Sequence, residues 1–265
     1  MKTFGKYIYL SCILILLPLA HAENAPATGP EPAYTPRPDR KLVQIYQYKP
    51  MYFLMGHPNT KIEVSFRVEL DRLIPLYLGY TQLMMWELLR KSPYFSDVDY
   101  NPEVFYRISL GGQDHWLDLG GFEHESNGKG GADERSWDRS YMRYHASFRM
   151  RAQTRLLWNV KAWVPYDYIR FNPDLLEHRG LWETEVTLID FIAPSFEGAA
   201  LKFRLYPGGR SFTHPLKGGQ ELTFRVKTIT EASLLSYVAQ IFHGYAENLR
   251  ESRTSSWSFR AGIGF

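Results

Sequence analysis

Trp137-Asp138-Arg139-Ser140-Tyr141-Met142-Arg143-Tyr144-His145-Ala146-Ser147-Phe148-Arg149-Met150 alternates along its whole length. Successive side chains of a β-strand point to opposite faces, so the run sorts into two series. Asp138, Ser140, Met142, Tyr144, Ala146, Phe148 and Met150 make one face, largely apolar with aromatics. Arg139, Tyr141, Arg143, His145, Ser147 and Arg149 make the other, cationic and polar. A soluble sandwich turns its apolar face inward. A barrel in an outer membrane gives that face to lipid and lines its lumen with the polar one. On the barrel reading Asp138 shares the lipid-facing parity, at the rim.

Upstream lies Gly121-Phe122-Glu123-His124-Glu125-Ser126-Asn127-Gly128. His124 and Ser126 are two apart and share a face of any strand that holds them. Asp138 follows His124 by fourteen positions. If residues 127–135 form a hairpin loop, the returning strand sets Asp138 beside His124. A hydroxyl, an imidazole and an acceptor on neighbouring strands are the parts of an activated-serine site: His takes the Ser proton, and the acceptor fixes the His tautomer. A Ser and a His this close mean little alone. The shared outward face and the hairpin partner make the combination more than coincidence.

The same alternation recurs along the chain. Ile62, Val64, Phe66, Val68 and Leu70 alternate with Lys61, Glu63, Ser65, Arg67 and Glu69; Leu156, Trp158, Val160, Ala162 and Val164 alternate with Leu157, Asn159, Lys161 and Trp163. Strands are predicted near 42–56, 61–73, 75–88, 103–112, 114–125, 137–150, 155–167, 180–191, 197–206, 220–230, 234–245 and 255–265. The expected fold is all-β, a twelve-stranded antiparallel transmembrane β-barrel; the even count suits a single-chain bacterial barrel. Residues 83–89 break the alternation, and 240–249 also fit a helix. Counting back by twos from Phe265 gives Ile263, Ala261, Phe259 and Trp257, an apolar last strand ending in Phe.

Residues 1–22 read as a signal peptide: Lys2 and Lys6, an apolar run from Tyr7 to Leu19, then Ala20-His21-Ala22. The run is too short to span a membrane. Cys12, the single cysteine, falls inside it, so disulfide scaffolds and cysteine catalysis drop out. Residues 23–40, with five prolines, read as a disordered or polyproline-like periplasmic arm. The barrel takes 41–265. Losing Lys2 and Lys6 takes the formal charge from +3 to +1, which gives nucleic acid no electrostatic hold.

The segment Phe122 to Gly128, followed by Arg135-Ser136-Trp137-Asp138-Arg139, resembles the active-site hairpin of the bacterial outer membrane phospholipase A family. Tyr80-Thr81-Gln82, Ser92-Pro93-Tyr94 with Asn101-Pro102-Glu103, and Asn172-Pro173-Asp174 resemble its other strands and turns, so the likeness covers most of the mature chain. The resemblance implies hydrolysis of phospholipid acyl esters in the outer membrane, with Ser126 as nucleophile and His124 as base. Asp138 stands where the family typically has Asn. Gly128 N–H would serve an oxyanion hole, and Gln82 would position residue 138. The family also implies calcium at a homodimer interface. Its ligand positions correspond to the Lys129 carbonyl, Glu134 and, from the partner, roughly Lys91, whose ammonium cannot ligate a cation.

Three functional classes stand at this point. A lipid esterase explains both halves of the motif. A porin, an adhesin or an inactive relative would leave the paired motif unexplained, and a soluble lipid-binding barrel would leave the signal peptide and C-terminal strand unexplained.

Overall fold

The structure, a computed structural model, describes residues 44–70, 74–111, 114–151, 153–192, 198–227 and 235–265. The expected signal peptide and proline-rich arm lie outside the described residues. Thirteen strands run in chain order: β1 (Ile45–Gln47), β2 (Tyr52–His57), β3 (Thr60–Glu69), β4 (Leu76–Trp86), β5 (Phe95–Ser109), β6 (His115–Ser126), β7 (Ser136–Arg149), β8 (Arg155–Tyr166), β9 (Trp182–Ile189), β10 (Ala200–Gly208), β11 (His214–Lys227), β12 (Ser236–Gly244) and β13 (Ser256–Gly264). Each pairs antiparallel with its neighbours, and β13 pairs with β2 to close the sheet. A five-residue helix, α1 (Leu175–Arg179), lies between β8 and β9.

The barrel has twelve strands, because β1 and β2 are halves of one. Both pair with β3, through Gln47↔Phe66 and Tyr52↔Glu63. The segment between them is two residues longer than the stretch of β3 it faces, and it contains Pro50, which has no N–H for a ladder. Closure leaves the sheet no open edge, so neighbouring strands satisfy one another's backbone groups without water.

The outside is apolar and the inside polar. Val164 is 71% exposed, and Met142, Phe148, Trp158, Phe203 and Ile241 share its outward aspect. Glu103, Asp118 and Glu123 are wholly buried, with Lys61, Arg139, Arg143 and Lys161 nearly so. A soluble lipid-binding barrel would show the reverse. Outward Trp257, Phe259, Ile263 and Phe265 carry the predicted C-terminal parity, and Phe265 N–H donates to the Met51 carbonyl at 2.9 Å.

Buried charges need partners, and the lumen supplies them. Glu123 accepts from Arg139 Nε and Lys161 Nζ, both at 2.6 Å. Asp118 takes Arg107 Nε at 2.7 Å and His145 Nε2 at 2.9 Å. At one end two loops enter the mouth. Leu175 and Leu176 of α1 and Leu249 of the β12–β13 loop are buried with Trp137, Trp163, Tyr141, Phe105 and Tyr77. From that second loop Glu247 reaches Lys61 Nζ at 3.3 Å and Ser258 Oγ at 2.7 Å.

Two sequence expectations change here. The strand predicted at 103–112 begins at Phe95, so Asn101-Pro102 lies inside β5 rather than in a loop. Pro102 has no N–H to give to β6; Asn101 Nδ2 donates to the His124 carbonyl instead, at 2.8 Å. The stretch 240–249 is strand through Gly244, not helix.

Candidate active site

The plugged end of the barrel is also where β6 ends and β7 begins. Register pairs Glu123↔Arg139, His124↔Asp138, Glu125↔Trp137 and Ser126↔Ser136 set Asp138 directly opposite His124. His124 Nδ1 lies 2.6 Å from Asp138 Oδ1. A carboxylate can only accept, so Nδ1 carries the proton, and in the neutral imidazole Nε2 is the acceptor. Ser126 lies two residues on, on the same face, about 7 Å along the strand. The ring of Phe122 lies parallel to the His124 ring, with centroids 6.4 Å apart.

A β-bulge puts this face outside. Between Gly120↔Tyr141 and Glu123↔Arg139, two residues of β6, Gly121 and Phe122, face one residue of β7, Ser140. Ser140 Oγ donates to the Gly121 carbonyl at 2.9 Å. Below the bulge the even positions Asp118 and Gly120 face the lumen. Above it the parity inverts, so His124 and Ser126 face outward while Glu123 points inward to Arg139 and Lys161. A bulge re-aims side chains in this way beside many active sites. Without the extra residue, His124 and Ser126 would point into the ion-paired lumen.

The loop after Ser126 is built around Asn127, which is buried. Its Oδ1 accepts from Arg135 N–H at 3.0 Å and Lys129 N–H at 3.3 Å, and its Nδ2 donates to the Asp133 carbonyl at 2.9 Å. Gly128 has φ +63, and a Cβ there would meet Tyr100 Cε2 at 2.7 Å. Both facts call for glycine. Inside, Trp137 Nε1 donates to Glu125 Oε2 at 3.1 Å, and the Arg139 guanidinium lies 3.9 Å from the Trp137 ring centroid. Asn172, in the β8–β9 loop, donates from Nδ2 to the Ser136 carbonyl at 2.7 Å. Asn127 and Asn172 appear in the sequence motifs with no role attached, because a loop amide shows its partners only once the loop is folded.

Gln82 does not reach Asp138. It pairs with Tyr100, which pairs with Ser126, which pairs with Ser136. Three strand spacings, about 14 Å, separate β4 from β7. Gln82 Oε1 instead accepts from Tyr80 Oη at 3.0 Å. The positions expected to hold calcium fit it poorly. Lys91 is exposed in the β4–β5 turn, and Lys129 Nζ donates to the Ser96 carbonyl at 3.3 Å. Arg135 fills part of the loop, donating to the carbonyls of Ala132 at 3.0 Å and Glu134 at 2.7 Å. The Lys129 carbonyl and the Glu134 carboxylate remain, far short of the six to eight oxygens calcium takes. Among the described residues no cluster of three or more His, Cys, Asp or Glu is arranged to hold a metal.

The sequence profile of the phospholipase A1 family matches residues 33–265. A Neisseria meningitidis relative is 26% identical over 219 residues, 72% of this chain and 50% of its own length. The phospholipase A1 of Klebsiella pneumoniae is 29% identical over 143 residues, 48% of each chain. The chain thus spans about half the length of the curated relatives it matches. Among solved structures, the outer membrane phospholipase A of Escherichia coli superposes with a TM-score of 0.70 at 21% identity, over 83% of this chain and 98% of that one. The calcium-bound dimer of the Salmonella typhi enzyme gives 0.69 at 20% identity, over 84% and 92%. These superpositions bear on the fold, the same closed antiparallel barrel.

Proposed function

This chain belongs to the phospholipase A1 family, and from that premise we propose that it hydrolyses acyl esters of glycerophospholipids at the outer face of a bacterial outer-membrane barrel. The observation that carries the proposal is the His124–Asp138 hydrogen bond on the lipid-facing side, with Ser126 on the same face. Ser126 Oγ attacks the ester carbonyl while His124 Nε2 takes its proton. The tetrahedral oxyanion is met by the Gly128 N–H. His124 then returns the proton to the leaving alcohol, and water repeats the sequence to free the fatty acid and Ser126. Asp138 holds Nδ1 throughout and offsets the charge of the imidazolium.

A site on the outside of a barrel meets its substrate by lateral diffusion in the membrane and needs no pore. The lumen agrees: ion pairs and two inserted loops occupy the space that a porin keeps filled with water. This favours the enzyme over the channel reading.

Calcium and a homodimer enter as part of the same proposal, by analogy with the calcium-bound Salmonella typhi dimer. One chain offers Lys129 and Glu134 as oxygen donors, and Lys91 would bring an ammonium where a ligand is expected. The donor set does not fit a complete calcium site, so no catalytic step is assigned to the metal. An assay of phospholipid hydrolysis by detergent-solubilised protein tests the function. The expected result is release of free fatty acid that stops after treatment with a serine-reactive sulfonyl fluoride. Lipid left intact under these conditions would favour a non-enzymatic barrel.

A further inference from the structure

We propose that Asn172 is a positioning residue for the acid–base pair, its side-chain amide standing in for a strand partner that β7 lacks above Asp138. The inference rests on the reading of Ser126, His124 and Asp138 as the reacting groups. The last register pair between β7 and β8 is Asp138↔Tyr166, and β8 stops there. On its other side β7 continues to pair with β6 as far as Ser126↔Ser136. The end of β7 that faces Ser126 is therefore held by a β-ladder on one side only.

Asn172 supplies the other side. Its Nδ2 donates to the Ser136 carbonyl at 2.7 Å. Its own backbone is fixed at both groups: Asn172 N–H donates to the Tyr168 carbonyl at 2.7 Å, and its carbonyl accepts from Leu175 N–H at 3.0 Å. The residue is 2% exposed, and Asn172 Oδ1 has no hydrogen-bond partner. The amide is thus oriented by its donor alone. Three and four residues on, Leu175 and Leu176 of α1 share one buried cluster with Trp137 of β7 and Trp163 of β8. Ser136 is one strand partner of Ser126 and stands two residues from Asp138. A shift of this strand end moves the His124 acceptor and the Ser126 neighbour together. Misplacements near 1 Å cost catalysis about 100-fold.

Asn172→Asp replaces the donor with an acceptor facing the Ser136 carbonyl, Asn172→Ala only deletes it, and Leu176→Ala loosens the same plug without touching Ser136. Each variant, with Ser126→Ala, is assayed for kcat and KM on a short-chain ester in micelles, for the rate of sulfonyl fluoride labelling, and for Tm. The expected result is a kcat about 10- to 100-fold lower for both Asn172 variants, with KM unchanged and labelling slowed in step. Leu176→Ala should lower Tm yet keep kcat within about threefold. A kcat that simply tracks Tm across all three variants, or wild-type kcat and labelling in Asn172→Ala, overturns the proposal. If Asn172→Asp does not fold, Asn172→Ala against Leu176→Ala decides alone. Turnover by Ser126→Ala would instead refute the underlying reading of the site.

Discussion

Replacing Asp138 separates two things that the side chain does: it accepts a hydrogen bond from His124 Nδ1, and it carries a negative charge beside the imidazolium. Asp138→Asn keeps an acceptor oxygen and removes the charge, whereas Asp138→Ala removes both. Unit charges about 4 Å apart interact by about 1 kcal/mol in water and about 4 kcal/mol at an effective dielectric of 20. The His124 side chain is 32% exposed and that of Asp138 20%, so solvent screens the pair and the lower part of the range applies. A charge worth about 1–2 kcal/mol predicts a loss of about 5- to 30-fold in kcat for Asp138→Asn. Without an acceptor His124 loses its tautomer and ring orientation, and the loss should reach about 100- to 10,000-fold for Asp138→Ala. Both variants should assemble as barrels, because the pair sits on the outer rim. The assay is steady-state hydrolysis of a short-chain ester in detergent, with barrel integrity followed by gel mobility before and after heating. Equal, large losses would show instead that the carboxylate charge itself is indispensable.

Gly128→Ala puts a Cβ at positive φ and against Tyr100; the backbone alone costs about 1–2 kcal/mol, so esterase turnover should fall at least about tenfold while the heat-modified gel shift stays normal. Glu123→Ala leaves Arg139 and Lys161 without their shared carboxylate, and breaking a buried pair costs about 3–5 kcal/mol; denaturant unfolding in micelles should show it, and an unchanged midpoint would mean that the lumen ion pairs are not structural. For calcium, activity should survive low chelator, and Lys91→Ser should strengthen the calcium dependence. An unchanged calcium titration curve in that variant would show that Lys91 does not touch the metal site.

The parity of 137–150 and the return of Asp138 to His124 were legible because a period of two fixes faces, and a nine-residue loop between motif halves fixes the pairing. The β6 bulge was not. Asp118 and His124 have the same sequence parity but face opposite sides, and only adjacent Gly120 and Gly121 hinted at the inversion. Pro102 hid the start of β5, since the side-chain donor that rescues its missing hydrogen bond, Asn101, shows only in three dimensions. Gln82 was placed by resemblance, and the register puts it three strands from Asp138. The plug made by Leu175, Leu176 and Leu249 was also invisible, because short loop segments carry no periodicity that says where they fold.

If Ser126 is the nucleophile of a lipid-facing hydrolase, it is the serine that a covalent probe modifies. Detergent-solubilised protein is treated with a sulfonyl fluoride, digested, and the modified residue located by mass spectrometry. One modified serine, Ser126, is expected, with loss of phospholipid hydrolysis in proportion to labelling and no labelling when His124 is replaced by Ala. Labelling at another serine with Ser126 untouched, or full hydrolysis by protein modified at Ser126, would contradict it.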